Sequence, residues 1–245
     1  MGHLNRGLVR VELRHWQEAL VDFDRVLASG YGDPAVDAWR GVVLESLHRG
    51  SEADASFQSA FRQAHSVPPV ARQRMQLAYG FAVATRLPRE ADRTFHEVLE
   101  ADPRSAQAFY GLAMIAACQM RDAEAVRLLS QAVDAVPEFH DARRYRAVLL
   151  ARSGSIKEAL EDINWCLDKE PESGASLYAA SCVAALAARH VPVPAFTEQA
   201  IDRLEKALAR GVGAEKAATD PDLAGLKPHP KFQQLLARPP VRPAP

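Results

Sequence analysis

The sequence predicts an all-α fold, a superhelical array of about six helix-turn-helix repeats closed by a C-terminal capping helix. Three observations carry that prediction. Pro103, Pro137 and Pro171 stand 34 residues apart, and a small residue, Ala91, Ala125 or Ala159, precedes each by 12 positions. With Pro at position 32 of a 34-residue frame, Phe95, Leu129 and Ile163 fall at position 24, and the same frame upstream pairs Ala19 with Phe23 and Ala53 with Phe57. Finally, 48% of the residues are hydrophobic, 25% charged and only 7% aromatic, with long Ala/Leu/Arg/Glu stretches and no strand pattern, as in a soluble helical array. A repeat at a fixed period of this length means units that bury their apolar faces on their neighbours, so one elongated domain is expected.

The frame gives repeats at about 1–34, 35–68, 69–103, 104–137, 138–171 and 172–210, a cap over 211–238 and a mobile Pro-rich tail over 239–245. Two antiparallel helices approach closely only where both carry little side chain. Gly7 is therefore expected to face Ala19, Gly41 to face Ala53, and Ala147 to face Ala159, and an added side chain there would cost roughly 1–3 kcal/mol. Phe23, Phe57 and Phe95, four residues on, fill the space between hairpins. Position 27 is compact throughout, reading Val26, Ala60, Val98, Ala132 and Cys166. Asp102-Pro103-Arg104-Ser105 reads as a helix stop followed by the first turn of the next helix.

The sixth repeat departs from the ruler. Ser176 to Ala188 makes its first helix, Val191-Pro-Val-Pro194 interrupts, and Thr197 to Arg210 makes the second, with Ala200, Leu204 and Ala207 in positions 20, 24 and 27. Gly30-Tyr-Gly32 and Gly211-Val-Gly213 read as helix C-terminal caps. Phe232, Leu235 and Leu236 form the amphipathic stripe of a capping helix.

The pattern of small residues at positions 8 and 20, an aromatic at 24, a small residue at 27 and Pro at 32 resembles the tetratricopeptide repeat. That resemblance implies a right-handed superhelix whose first helices line a ligand groove through positions 2, 5, 9, 12 and 13. The ending, with Tyr178 and Cys182, Leu204, Ala207, Leu208 and Gly211, then Asp220-Pro-Asp-Leu and Phe232 to Leu236, is similar to the C-terminal repeat regions of planctomycete-type bacterial serine/threonine kinases and related repeat proteins. It implies that a kinase or other signalling domain precedes this segment in a parent protein. The chain itself has no Gly-rich loop, His-Arg-Asp or Asp-Phe-Gly. Leu4, Leu8 and Val11 have nothing before them in sequence to cover them, which fits a piece of a longer protein, a frayed terminus, or pairing with a second copy.

Net charge of −1 argues against general nucleic-acid or anionic-membrane binding, and Leu177 to Ala188 is too short to span a bilayer. A cytoplasmic location is expected. Cys118, Cys166 and Cys182 share no metal-ligand spacing and read as small buried hydrophobes in a reducing compartment. His96 and His140 precede acids but have no nucleophile or pocket in the pattern, so no catalytic residue, cofactor or metal is expected, and the chain is not read as an enzyme.

Binding is the expected activity. Among the groove slots, Arg74, Leu77 and Phe81 in repeat 3, Tyr110 and Met114 in repeat 4, and Arg144, Val148 and Arg152 in repeat 5 form an apolar groove with an arginine edge. Phe81, Tyr110 and Met114 suit an apolar anchor from a peptide or helix, while Arg144 and Arg152 could fork onto a carboxylate or phosphate. The carboxylate clamp that chaperone adaptors of this family use does not fit, since its slots hold Leu4, Leu8, Trp39, Arg74 and Ala78 and only Arg74 has a matching charge. The leading reading is a non-catalytic scaffold for a protein or peptide partner, acidic with an apolar anchor. The alternative is the regulatory C-terminal segment of a larger signalling enzyme, with a kinase-like parent domain held in cis. RNA binding would need a basic groove along several units.

Overall fold

The computed structural model describes residues 2–191 and 193–237, and the expected Pro-rich tail lies outside them. Among the described residues the chain is helical throughout, with no strand. It divides into two compact units, with the boundary between Cys118 and Gln119. The boundary falls inside the fourth repeat of the ruler.

The first unit holds α1 (Gly2–Glu12), α2 (Trp16–Ala28), α3 (Pro34–Ser46), α4 (Gly50–Arg62), α5 (Pro69–Val83), α6 (Pro88–Ala101) and α7 (Ala106–Cys118). α1 packs on α2, α3 on α4 and α5 on α6, giving three hairpins. Their glycines lie against the aromatic rings at position 24. A Cβ on Gly7 would lie 2.8 Å from the Phe23 ring, and one on Gly41 2.8 Å from the Phe57 ring. The glycine thus clears room for the aromatic at position 24, while Ala19 and Ala53 are buried beside it. Phe95 has two such partners, Gly80 at 2.8 Å and, nearer still, Gly111 in the following repeat.

Arg14 (φ 58°) and His48 (φ 59°) give the first two hairpin turns a left-handed residue, and Gly30 (φ 77°) ends α2 as expected. The third turn, residues 84–87, has no left-handed residue among those described. It is one residue longer than the first two, although Gly80 precedes Phe95 by 15 positions where Gly7 and Gly41 precede their rings by 16, because α5 ends sooner after its glycine than α1 and α3 do.

The second unit holds α8 (Asp122–Ala135), α9 (His140–Arg152), α10 (Ile156–Lys169), α11 (Gly174–His190), α12 (Pro194–Ala209), α13 (Ala214–Thr219), a 3-10 segment (Pro221–Leu226) and α14 (Pro230–Ala237). α9 pairs with α10 and α11 with α12. Ala147, Ala159 and Ile163 share one buried cluster, and Ala200, Leu204 and Ala207 another. Every residue from Ser176 to Ala187 is buried. Two features differ from the sequence reading. Pro103, Pro137 and Pro171 stop a helix but lie in the turn before the next, and after Pro103 and Pro171 the first turn is instead capped by Ser105 and Ser173. The cap is two short helices and a 3-10 segment, with Phe232 and Leu235 buried.

An arginine sixteen residues before a polar partner ties several hairpins. Arg6 donates to Asp22 at 2.6 and 2.9 Å, Arg146 to Asp162 at 2.6 and 2.8 Å, and Arg40 reaches Ser56. Both aspartates are buried, and Asp22 also accepts from Arg10. Arg40 further bonds Asp24, and Arg146 Ser130, so one guanidinium holds its own second helix and the second helix of the preceding repeat.

Candidate binding cavity

The first helix of each hairpin presents a stripe at i, i+3 and i+4 spacing. In the first unit, Trp39 and Val42 of α3 and Ala78, Phe81 and Ala82 of α5 line an open cavity of about 860 Å3, with Trp16 from the start of α2. Trp16, Trp39 and Phe81 are all half-buried, with ring surface still facing the cavity. The left-handed turns carry Arg14 and His48 to its edge. At the third turn, Arg86 donates to Glu45 at 2.9 Å and to Asp54 at 2.7 Å. These carboxylates raise its pKa and hold its charge, so Arg86 is a strut of the wall.

The residues expected to form one groove are found in two settings. In the first unit Phe81 packs on Phe95 at 5.0 Å and lies 6.2 Å from Tyr110, between ring centroids. Leu77 and Met114 are half-buried and Arg74 is exposed. In the second unit Arg144 already pairs with Asp141 and Glu170 and donates to Ser176. Arg152 makes a bidentate fork onto Asp222, at 2.8 and 2.9 Å. Val148 packs into the buried clusters around it. Both arginines hold carboxylates, as their chemistry suggested, but the acids come from this chain.

Two tryptophans of the cavity were not among the expected site residues. Trp39 appeared in sequence only as a failed slot of the carboxylate clamp. Its signal was its type, because a large aromatic at a ligand-facing position of the second repeat is a ready anchor point.

Cys166 and Cys182 are buried as expected, and burial pushes the Cys166 thiol up to about 11. Cys118 is exposed at the end of α7, contrary to the expectation that all three pack inside. The ligand atoms of Cys182, Asp220 and Asp222 lie within 4.8 Å of one another. Their oxygens are already engaged, since Asp220 accepts from Tyr178 Oη at 2.7 Å and from the Asp222 amide, and Asp222 from Arg152. The group is a hydrogen-bonded lock. Among the described residues no helix is long and apolar enough to cross a membrane.

The repeat geometry has counterparts in known proteins. A tetratricopeptide repeat family model matches residues 82–126 and 121–164. A crystal structure of a tetratricopeptide repeat protein from Parabacteroides merdae superposes with a TM-score of 0.66 at 17% identity, over 96% of this chain and 81% of that one. PilF of Pseudomonas aeruginosa gives 0.62 at 15% identity, over 96% of each chain. YrrB, described as a tetratricopeptide protein with an unusual peptide-binding site, gives 0.51 at 20% identity, over 76% of this chain and 96% of that one. No curated protein sequence matches the chain. Residues 82–164 thus carry tetratricopeptide repeats, and the chain has the all-helical hairpin-repeat fold of tetratricopeptide proteins. That fold generally serves protein–protein interaction.

Proposed function

We propose that this protein is a non-catalytic interaction module that takes an apolar anchor from a partner's peptide or helix in the first-unit cavity. One observation carries the reading: Trp16, Trp39 and Phe81 converge on an open cavity while remaining half-exposed. Convergent aromatic surface that no part of the unit covers is the arrangement in which a partner's side chain gains most from burial. Of the expected groove residues of this unit, Arg74 and Leu77 share α5 with Phe81, and Tyr110 of α7 lies 6.2 Å from the Phe81 ring. Arg14 is exposed at the cavity edge, which favours acidic residues beside the anchor. The peptide-binding site described for YrrB supports a peptide as the ligand class.

Tryptophan emission offers a direct test. Trp165 is the third tryptophan and lies in the second unit, so a Trp165→Phe variant leaves Trp16 and Trp39 as reporters of the cavity. Peptides selected from a displayed random library should shift that emission and lose about tenfold or more in affinity for Phe81→Ala, with helical content unchanged. Equal affinity for the variant would reject the cavity as the binding site.

A further inference from the structure

The ligand-facing slots of the second unit are not empty. Tyr178, Cys182 and Ala185 stand at positions 5, 9 and 12 of the sixth repeat, and Val148 and Arg152 at positions 9 and 13 of the fifth. All but Arg152 pack in one cluster with Leu223, Leu226, Phe232 and Leu235 of the C-terminal segment. Leu223 and Leu226 are 0% and 2% exposed, as deep as any core leucine. The polar contacts fall on the same slots. Asp222 takes the Arg152 fork at 2.8 and 2.9 Å, and Asp220 takes the Tyr178 hydroxyl at 2.7 Å.

This is the chemistry the sequence assigned to a partner: acidic residues on arginine, followed by apolar anchors in the groove. The segment that supplies it is built from pieces of six, six and eight residues, and neither α13 nor α14 reaches three turns. Its 3-10 part rests on α11, and α14 packs on α12 and α13. A true seventh hairpin would present a long helix to both α11 and α12. We infer that residues 214–237 are an in-cis ligand of the α9/α11 face, and that this face is a second binding site for a partner segment with an acidic pair followed by leucines. The site opens when the Arg152–Asp222 and Tyr178–Asp220 contacts release. The inference is independent of whether the first-unit cavity takes a peptide.

Cys182 is the reporter, since it is 2% exposed and lies against this segment. In a full-length Cys118→Ser background, thiol labelling mapped by mass spectrometry reads opening at Cys182. Asp222→Lys should raise the labelling rate about tenfold or more while far-UV circular dichroism is retained. An excess of synthetic peptide spanning residues 214–237 should restore protection, and the same peptide with both aspartates changed to lysine should not. Should the variant stay folded while the peptide fails to protect Cys182, the face is no ligand site. Hydrogen exchange on the unsubstituted protein decides the case even if the variant unfolds. A ligand-like segment exchanges residues 222–236 through a local opening, faster than α11, and a common rate for both would make the segment part of the core and overturn the inference.

Discussion

The two units present the same kind of helix face and treat it in opposite ways. In the first, the slots of α3 and α5 carry Trp39 and Phe81, which remain half-exposed beside an open cavity. In the second, the slots of α9 and α11 are covered by residues 220–235, and the arginine among them holds an aspartate of the same chain. A repeat that spends one face of its first helix on its own hairpin leaves another face to be covered. Trp39 and Phe81 leave that face available to a partner, whereas Cys182 and Ala185, beside Tyr178, lie under a closely packed segment.

The comparison assumes that each unit has its own core, and the largest effect tests this. Phe95→Ala should destabilise the first unit by about 3–5 kcal/mol, because a buried ring between Gly80 and Gly111 is lost and neither glycine can fill the space. Urea denaturation followed by Trp16 and Trp39, against Trp165, should place the loss in the first unit; equal shifts at all three would show one cooperative core.

A smaller effect concerns acid. Arg6, then His3 and Arg10, hold the buried Asp22 carboxyl well below the usual carboxylate range. A group with a depressed folded pKa stabilises fully above its ordinary value, near pH 4, and that contribution erodes as pH falls toward the folded pKa. Asp22→Asn should therefore cost about 1–3 kcal/mol at pH 7 and progressively less below pH 4, read from urea midpoints at pH 7 and pH 3. A constant cost across that range would count against the ion cluster.

The smallest effect would raise stability. Met120 has φ 60° and is 86% exposed, where Gly154 occupies the matching turn of the next repeat at φ 88°. Met120→Gly should gain up to about 1 kcal/mol, visible as a higher thermal midpoint, because a left-handed conformation strains a side chain and glycine adopts it freely.

How much of this was legible in sequence follows from the range of each interaction. The hairpins were readable because Pro103, Pro137 and Pro171 and the small residues repeat on one ruler. The Arg6–Asp22 and Arg146–Asp162 pairs also repeat, at a spacing of 16, but such pairs of charged residues are common on helix surfaces and give no signal alone. The cover on the second unit was illegible for a different reason. Arg152 and Asp222 are 70 residues apart and Tyr178 and Asp220 are 42 apart, with no periodicity to link them. The sequence reads the slots as arginine and apolar, while the contacts that Asp220, Asp222 and Leu223 make there are visible only in three dimensions. The likeness of the ending to kinase-borne repeats rests on its sequence motifs alone, and neither the family match nor the similar structures bear on it.

Phe95 has a bearing on how such arrays are inherited and engineered. Its ring needs Gly111, which belongs to the next repeat, and its own hairpin glycine, Gly80, stands one residue nearer in sequence than the glycines of the first two hairpins do. The third repeat is therefore not an interchangeable module. Duplicating it, grafting it elsewhere, or replacing it with a consensus unit would either strand the ring against a bulkier neighbour or leave α7 with an unfilled notch. The smallest cassette that can be moved intact runs from α5 through α7, so recombination in this array should respect a boundary of three helices rather than two.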